Sequence, residues 1–488
     1  MLYVNDSAAR CGSFTLQLNS QENRGFISQR EVFSLKIVIA GAGRIGGTVA
    51  RVLSEEGHDI TLIDHDPETI RIASNSMDII CVEGKAADPE TLREAGVSEA
   101  GLVLAATEKD EVNMVCGIAS RKLGAEHVIA RIRDPRYLHQ TEFLRDVLGL
   151  SQVVNPEYEC AKEISRILRF PGAARVDSFS KGGVEIVEHK IREKSILDGI
   201  ALKDMQKTIG HKVLVALVER NGNALIPNGD TVLKAGDRLS ITGDSRELRR
   251  FFVTIGEYKR PVKRVMIIGG GKTTVYLARL LKENNIDVTV VERDRSTCEE
   301  LCDLIPEAHI VCGDATHSDV LQEDGITDVD GFVSLTGDDG DNIITSLYAR
   351  SCKVSKVITK VNSEHFADIL INSGLDSIVS TKKIVAEQLA RYVRAISNSA
   401  GSSMETLYRL IDGKVEVLEF KVQEDSACTH QQLRDLNLRP NVLISAIIRG
   451  KKTIMPNGST EILPGDHAIV VTTFNHLHQL DDILVPHT

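Results

Sequence analysis

The sequence predicts an α/β chain of two doubly wound parallel-sheet units, each followed by a small α+β unit. Three observations predict it. Short, near-continuously apolar runs alternate with amphipathic segments, as parallel strands covered on both faces by crossover helices require. A glycine-rich turn follows the first run and opens a helix. The pattern then recurs: Ile37 to Glu68 reads IVIAGAGRIGGTVARVLSEEGHDITLIDHDPE, and Val265 to Ser296 reads VMIIGGGKTTVYLARLLKENNIDVTVVERDRS. Pro227-Asn228-Gly229 likewise returns as Pro456-Asn457-Gly458, so a multi-element unit has been duplicated.

Residues 1–35 are polar and aperiodic up to Val32-Phe33 and read as a flexible extension. In residues 36–172, strands are expected at Ile37–Ala40, Ile60–Ile63, Ile79–Val82, Leu102–Ala105 and Val128–Ile132, with the first helix from about Gly47 to Glu56. Pro156 to Phe170 then spaces Tyr158, Ala161, Ile164, Ile167 and Leu168 three or four apart. That is an amphipathic helix closed by Pro171-Gly172, suited to an arm or exchange helix at a dimer interface. Residues 173–258 turn β-rich, with strands at Val184–Val187, Val213–Val218 and Arg238–Thr242 and turns at Asn221-Gly222, Pro227-Asn228-Gly229 and Gly236-Asp237. The polar run EYKRPVKR at 257–264 links the copies. Residues 264–398 repeat the α/β unit, 398–403 form a flexible joint, and 404–484 repeat the β-rich unit with Gly465-Asp466 in the matching place.

With 488 residues the chain has room for about three to four domains, each with its own core. A net charge of −11 and pI near 5.8 argue against nucleic-acid binding and against attraction to an anionic bilayer. No apolar run approaches the roughly 18–20 residues that span a bilayer, and the first residues lack a signal-peptide pattern. The chain is expected to be cytoplasmic, with any membrane role running through a partner. Nine cysteines without a Cys-x-x-Cys pair read as reduced intracellular usage. Cys298 with Cys302, and His476 with His478, each fall short of the usual four metal ligands, so no metal is expected.

Each glycine turn has the context a dinucleotide fingerprint needs. In Gly41-Ala42-Gly43-Arg44-Ile45-Gly46 the first glycine permits the strand-to-helix turn, the second lets backbone N–H groups approach a pyrophosphate, and the third allows close helix–strand packing. Asp64 ends the next strand, where a carboxylate accepts from both adenosine ribose hydroxyls and disfavours a 2′-phosphate. Ligands of such sheets lie at the carboxyl ends of the strands, which adds Thr107, Glu108 and Arg131, and Arg44 could meet a terminal phosphate. The second copy offers Gly269, Gly270, Gly271, Lys272, Thr273 and Glu292. Thr274 replaces its third glycine, so this site is expected to be looser and of lower affinity. Lys85 stands where the second copy has Asp314. Gly271-Lys272-Thr273 resembles the end of a P-loop, but Met266 stands where that loop needs glycine.

At this point the chain resembles the TrkA-type regulatory subunits of Trk potassium-uptake systems. The likeness runs from Lys36 to Leu484 and is carried by GAGRIGGTVA with Asp64, Asp110-Glu111-Val112-Asn113-Met114, Ala130-Arg131-Ile132, Phe170-Pro171-Gly172 and the duplicated Pro-Asn-Gly and Gly-Asp turns. It implies Rossmann-like domains of the RCK/KTN type, each followed by an RCK C-terminal domain. It also implies binding of NAD(H), with ATP or ADP as further candidates, and gating of a potassium-translocating membrane protein. Two related domains would pair within the chain, and homodimerisation would close a four-domain ring. The competing reading is an NAD-dependent oxidoreductase, but the β-rich units offer no compact His, Lys or Tyr constellation facing a nicotinamide. A bare scaffold is disfavoured by the intact first fingerprint.

Overall fold

The computed structural model describes residues 34–485 apart from 171–174, 180–183, 257–261, 364–369, 371–374, 376, 399–402, 411–413, 451, 475–476 and 478. The first parallel sheet alternates β1 (Lys36–Ala40), α1 (Arg44–Glu55), β2 (Asp59–Asp64), α2 (Pro67–Ser76), β3 (Ile80–Glu83), α3 (Pro89–Glu94), β4 (Leu102–Ala105), α4 (Asp110–Leu123), β5 (His127–Arg131), α5 (Thr141–Leu148), β6 (Gln152–Val154) and α6 (Pro156–Arg169). Its strand order is β3-β2-β1-β4-β5-β6. The chain therefore reverses direction across the sheet beside β1, and the glycine turn at the end of β1 lies at that switch point. Sequence patterning missed β6 because three residues carry too little periodicity.

An antiparallel unit follows, with β7 (Arg175–Phe179), β8 (Val184–Lys190), α7 (Leu202–Ile209), β9 (Leu214–Arg220), β10 (Asn223–Leu225), β11 (Arg238–Gly243) and α8 (Ser245–Thr254), ordered β10-β9-β11-β8-β7. The second copy repeats the plan as β12 (Arg264–Ile268), α9 (Lys272–Glu283), β13 (Asp287–Glu292), α10 (Arg295–Leu304), β14 (His309–Cys312), α11 (Ser318–Glu323), β15 (Gly331–Ser334), α12 (Asp339–Ser351), β16 (Lys356–Lys360), β17 (Ser377–Val379) and α13 (Thr381–Asn398). It closes with β18 (Met404–Leu410), β19 (Val415–Lys421), β20 (Val442–Arg449), β21 (Lys452–Ile454) and β22 (His467–Thr472). The duplicated Gly-Asp turns have one cause. Gly236 and Gly465 take φ of +92° and +82°, and the buried Asp237 and Asp466 that follow each accept a two-pronged guanidinium, from Arg220 at 2.7 and 2.6 Å and from Arg449 at 2.9 and 2.8 Å.

The two copies exchange helices. Cys160, Ala161, Ile164, Ile167 and Leu168 of α6 pack into the core of the second parallel sheet, beside Val265, Ile267 and Leu277. Val385, Ala386, Leu389, Ala390 and Val393 of α13 pack in return into the first, beside Ile37, Val49 and Leu53. Arg394 reinforces this docking by pairing with Glu56 at the end of α1, Nε to Oε2 at 3.1 Å, while its Nη1 donates to the Leu407 carbonyl at 3.0 Å. The exchange expected of the 156–170 helix thus occurs within one chain. The antiparallel sheets also meet, with Val184, Ile186, Ala216 and Leu217 against Val415, Val417, Ile469 and Val471.

Candidate functional site

The first glycine turn is built as a cradle. Gly41 takes φ of +110°, and a Cβ there would lie 2.9 Å from the Ala106 carbonyl, so only glycine permits β1 and the end of β4 to approach this closely. Helix α1 begins at Arg44, earlier than the sequence pattern suggested, which places Gly46 inside its first turn. A Cβ on Gly46 would be 1.8 Å from the Gly41 carbonyl oxygen. Gly43 differs from both. Its φ of −63° suits any residue, and a Cβ there would meet nothing within 4 Å. The fold has no use for a glycine at 43, whereas a phosphate drawn against the backbone does. No side chain caps α1 and its first turn holds no acid, so its amides and dipole face outward.

The remaining candidates converge on this turn. Asp64 Oδ2 accepts the Ala42 N–H at 2.7 Å and Oδ1 accepts the Asp66 N–H at 3.0 Å, which holds the carboxylate beside the loop. Buried Asn113 ties the ends of β4 and β5: its Oδ1 accepts from Thr107 N at 2.8 Å and from Thr107 Oγ1 at 2.7 Å, and its Nδ2 donates to the Arg131 carbonyl at 2.9 Å. Arg131 is itself largely buried, with its Nη1 3.4 Å from the Thr107 carbonyl and its Nη2 3.6 Å from Glu157 Oε1. Burial lowers its pKa. Arg131 Nε and Glu157 Oε2 are buried without a hydrogen-bond partner, unlike a solvated surface arginine. Glu108 is exposed at the rim, and its carbonyl accepts from Arg133.

The second cradle repeats the first. Gly270 N–H donates to Glu292 Oε2 at 2.6 Å, Gly269 takes φ of +97°, and Gly271 again has open space where a Cβ would be. Lys272 is exposed at the start of α9 and Thr273 is buried there. Thr274 is accommodated by a bond of its own: its buried hydroxyl donates to the Gly269 carbonyl at 2.5 Å, which fastens the helix to the turn. Thr336 and Lys360 complete this site, with Asn342 bonding Thr336 N at 2.8 Å and the Lys360 carbonyl at 3.0 Å. Reading the repeat's own register from Thr107 and Arg131 would have found both. Burial lowers the Lys360 pKa. Asp314, the counterpart of Lys85, spends its carboxylate on its own turn, accepting from Thr316 N at 2.9 Å and Oγ1 at 2.7 Å. Among the described residues no cluster could hold a metal ion; His476 and His478 lie outside them.

The sites are also joined mechanically. Tyr276 of α9 receives a hydrogen bond from Asn155 Nδ2 at 2.7 Å and donates to the Arg133 carbonyl at 2.8 Å. Arg133 belongs to the segment that Asp110 grips through the Arg133 and Asp134 N–H groups, both at 2.9 Å. The rim of site one therefore touches the helix that begins at the glycine turn of site two.

A family model described as the TrkA-N domain matches residues 37–156 and 265–381, and one described as the TrkA-C domain matches 186–256 and 417–485. The chain is 32% identical over 450 residues to the Trk system potassium uptake protein TrkA homolog of Archaeoglobus fulgidus, covering 92% of this chain and 100% of that one. It is 30% identical over 443 residues to the Trk system potassium uptake protein TrkA of Vibrio alginolyticus, covering 89% and 95%. Among solved structures, the GsuK RCK domain shares the fold at 21% identity and a TM-score of 0.60, covering 90% of this chain and 92% of that one. The GsuK channel bound to NAD does so at 21% identity and a TM-score of 0.59, covering 90% and 77%. Both relatives are named for potassium uptake and neither for an enzyme, so the oxidoreductase reading is set aside. With both domain models matched twice and in alternation along nearly its whole length, the chain belongs to the TrkA family.

Proposed function

We propose that the chain is a nucleotide-binding regulatory subunit of a Trk-type potassium uptake system. It binds NAD(H), with ATP or ADP as competing ligands, and the bound nucleotide biases the gate of a potassium-translocating membrane protein. The observation that carries this reading is the junction of the two sites through Arg133 and Tyr276. Gly41 to Gly46 and Asp64 would hold pyrophosphate and ribose, Thr107 and Glu108 would line the rim, and Arg131 with Arg44 would meet phosphate charge. A ligand that shifts the end of β5 then acts on α9 through one hydrogen bond. A differential affinity of about 1–3 kcal/mol between two domain arrangements is enough for such coupling.

The chain works as a homodimer that closes a four-domain ring. Val115 and Ile118 are exposed on α4, and Ile344 and Leu347 are exposed at the same positions of α12. A two-fold operation that sets α4 of one copy on α12 of the other would cover both patches at once. No helix among the described residues is long and apolar enough to cross a membrane, so the chain would reach the inner face of the cell membrane through its channel partner. Co-purification with a channel-like potassium transporter from membranes, followed by rubidium flux in vesicles holding both proteins, tests this. Flux that responds to nucleotide only when the chain is present supports the proposal. Steady NADH consumption with a small carbonyl substrate, or flux indifferent to the chain, would refute it.

A further inference from the structure

A pair of thiols in the second copy lies outside the glycine turn but against it. Cys298, in the first turn of α10, is 6% exposed, whereas Cys312, at the end of β14, is exposed. Cys298 Sγ donates to the Glu292 carbonyl oxygen at 3.3 Å, and that oxygen also accepts the Gly313 N–H at 2.9 Å. Cys312 stands in register opposite Glu292, on a neighbouring strand about 4.8 Å away. Both cysteines thus flank the residue whose carboxylate holds the Gly270 N–H, Cys298 through its sulfur and Cys312 through strand register. Burial first, and then the neighbouring Cys312 thiol, raises the Cys298 pKa to about 12. Helix α10 also lines the glycine turn directly, since a Cβ at Gly270 would lie 2.8 Å from Leu301 and 2.9 Å from Thr297. The first copy has Ile70 and Glu83 at the matching positions, so the pair belongs to one site only.

We propose that Cys298 and Cys312 form a hydroperoxide-reactive pair whose disulfide alters the second copy's nucleotide site. The thiolate fraction of exposed Cys312 attacks the hydroperoxide. The O–O bond breaks, an alcohol or water leaves, and Cys312 becomes a sulfenic acid. The Cys298 sulfur then attacks that sulfur, the S–O bond breaks, and water departs with the Cys298 proton. Two thiols lose two electrons and one hydroperoxide gains them. Closing the S–S bond draws the first turn of α10 toward β14 and moves Thr297 and Leu301 against Gly270. The effect on binding rests on the second glycine turn being a nucleotide site; formation of the disulfide does not.

The test treats the full-length chain with hydrogen peroxide, alkylates it, maps its peptides, and separately measures ADP and NADH affinity before and after oxidation. A Cys298–Cys312 linkage reversed by dithiothreitol is expected, with Cys302 still alkylated. Cys312→Ser should abolish the linkage, and Cys298→Ser should leave a trappable sulfenic acid on Cys312. Affinity at the second site should change by about fivefold or more on oxidation, with the first site unmoved. Both thiols remaining alkylatable, Cys312 linking to Cys302, or Cys312 passing directly to sulfinic acid in the unmutated chain would overturn the pair. A disulfide that forms without changing measured affinity would overturn the control of the site. A reduced chain that binds nothing at the second turn would refute the nucleotide reading of that turn, whatever the peptide map shows.

Discussion

Gly43→Ala distinguishes a glycine kept for a ligand from one kept for the fold. At position 43 a methyl group enters open space, at a backbone angle any residue adopts, so the free protein should keep its stability to within about 0.5 kcal/mol. The same methyl stands on the face of the turn where a pyrophosphate would approach the backbone. Overpacking of this kind costs about 1–3 kcal/mol, or roughly 5- to 150-fold in affinity. Gly41→Ala is the contrast. It adds a Cβ 2.9 Å from the Ala106 carbonyl at φ of +110°, so it should lower stability by about 1–3 kcal/mol before any ligand is added. Urea midpoints measure the first quantity and calorimetric titration with NADH the second. If Gly43→Ala binds NADH as the parent does, no phosphate lies against that turn. If it unfolds like Gly41→Ala, the space beside Gly43 is needed by the protein itself.

Three further outcomes follow from the packing. Arg394→Ala removes the guanidinium that pairs with the largely buried Glu56 carboxylate and should cost about 1.5–3 kcal/mol by urea unfolding, part of which the double change with Glu56→Gln should restore. Burial lowers the His58 pKa below its ordinary 6.5, and His58 Nδ1 accepts the Leu35 N–H at 3.3 Å. The unfolded chain therefore takes up the His58 proton first, so stability should fall as pH drops through 6.5 toward the folded value. His58→Gln should flatten that loss in urea midpoints read between about pH 8 and about pH 5. Ile118→Lys with Leu347→Lys should leave the exposed faces folded but halve the mass seen by light scattering; an unchanged mass would remove α4 and α12 from the dimer contact.

Much of this site is legible in the sequence because its chemistry is local. Gly41, Asp64 and Glu292 announce themselves by spacing, and the structure joins each acid to its own glycine turn. The exchange helix was legible from the run Tyr158 to Leu168, though spacing could not say that its receiving core lies in the same chain. What escaped had physical reasons. Strands β6 and β10 are three residues long and carry no period. Thr274 read as excess bulk because a sequence shows a side chain's volume but not the carbonyl its hydroxyl will reach. Tyr276 meets the rim of the first site only because the helix exchange brings distant segments together.

The most direct measurement is a calorimetric titration of the full-length chain with NADH and with ADP, beside Asp64→Ala and Glu292→Ala. Two classes of site are expected. Asp64→Ala should weaken the tighter one by about 10- to 100-fold, as the loss of a charge-assisted ribose contact implies, and Glu292→Ala should weaken only the other. A tighter class that survives Asp64→Ala, or a chain that binds neither nucleotide, would contradict that expectation.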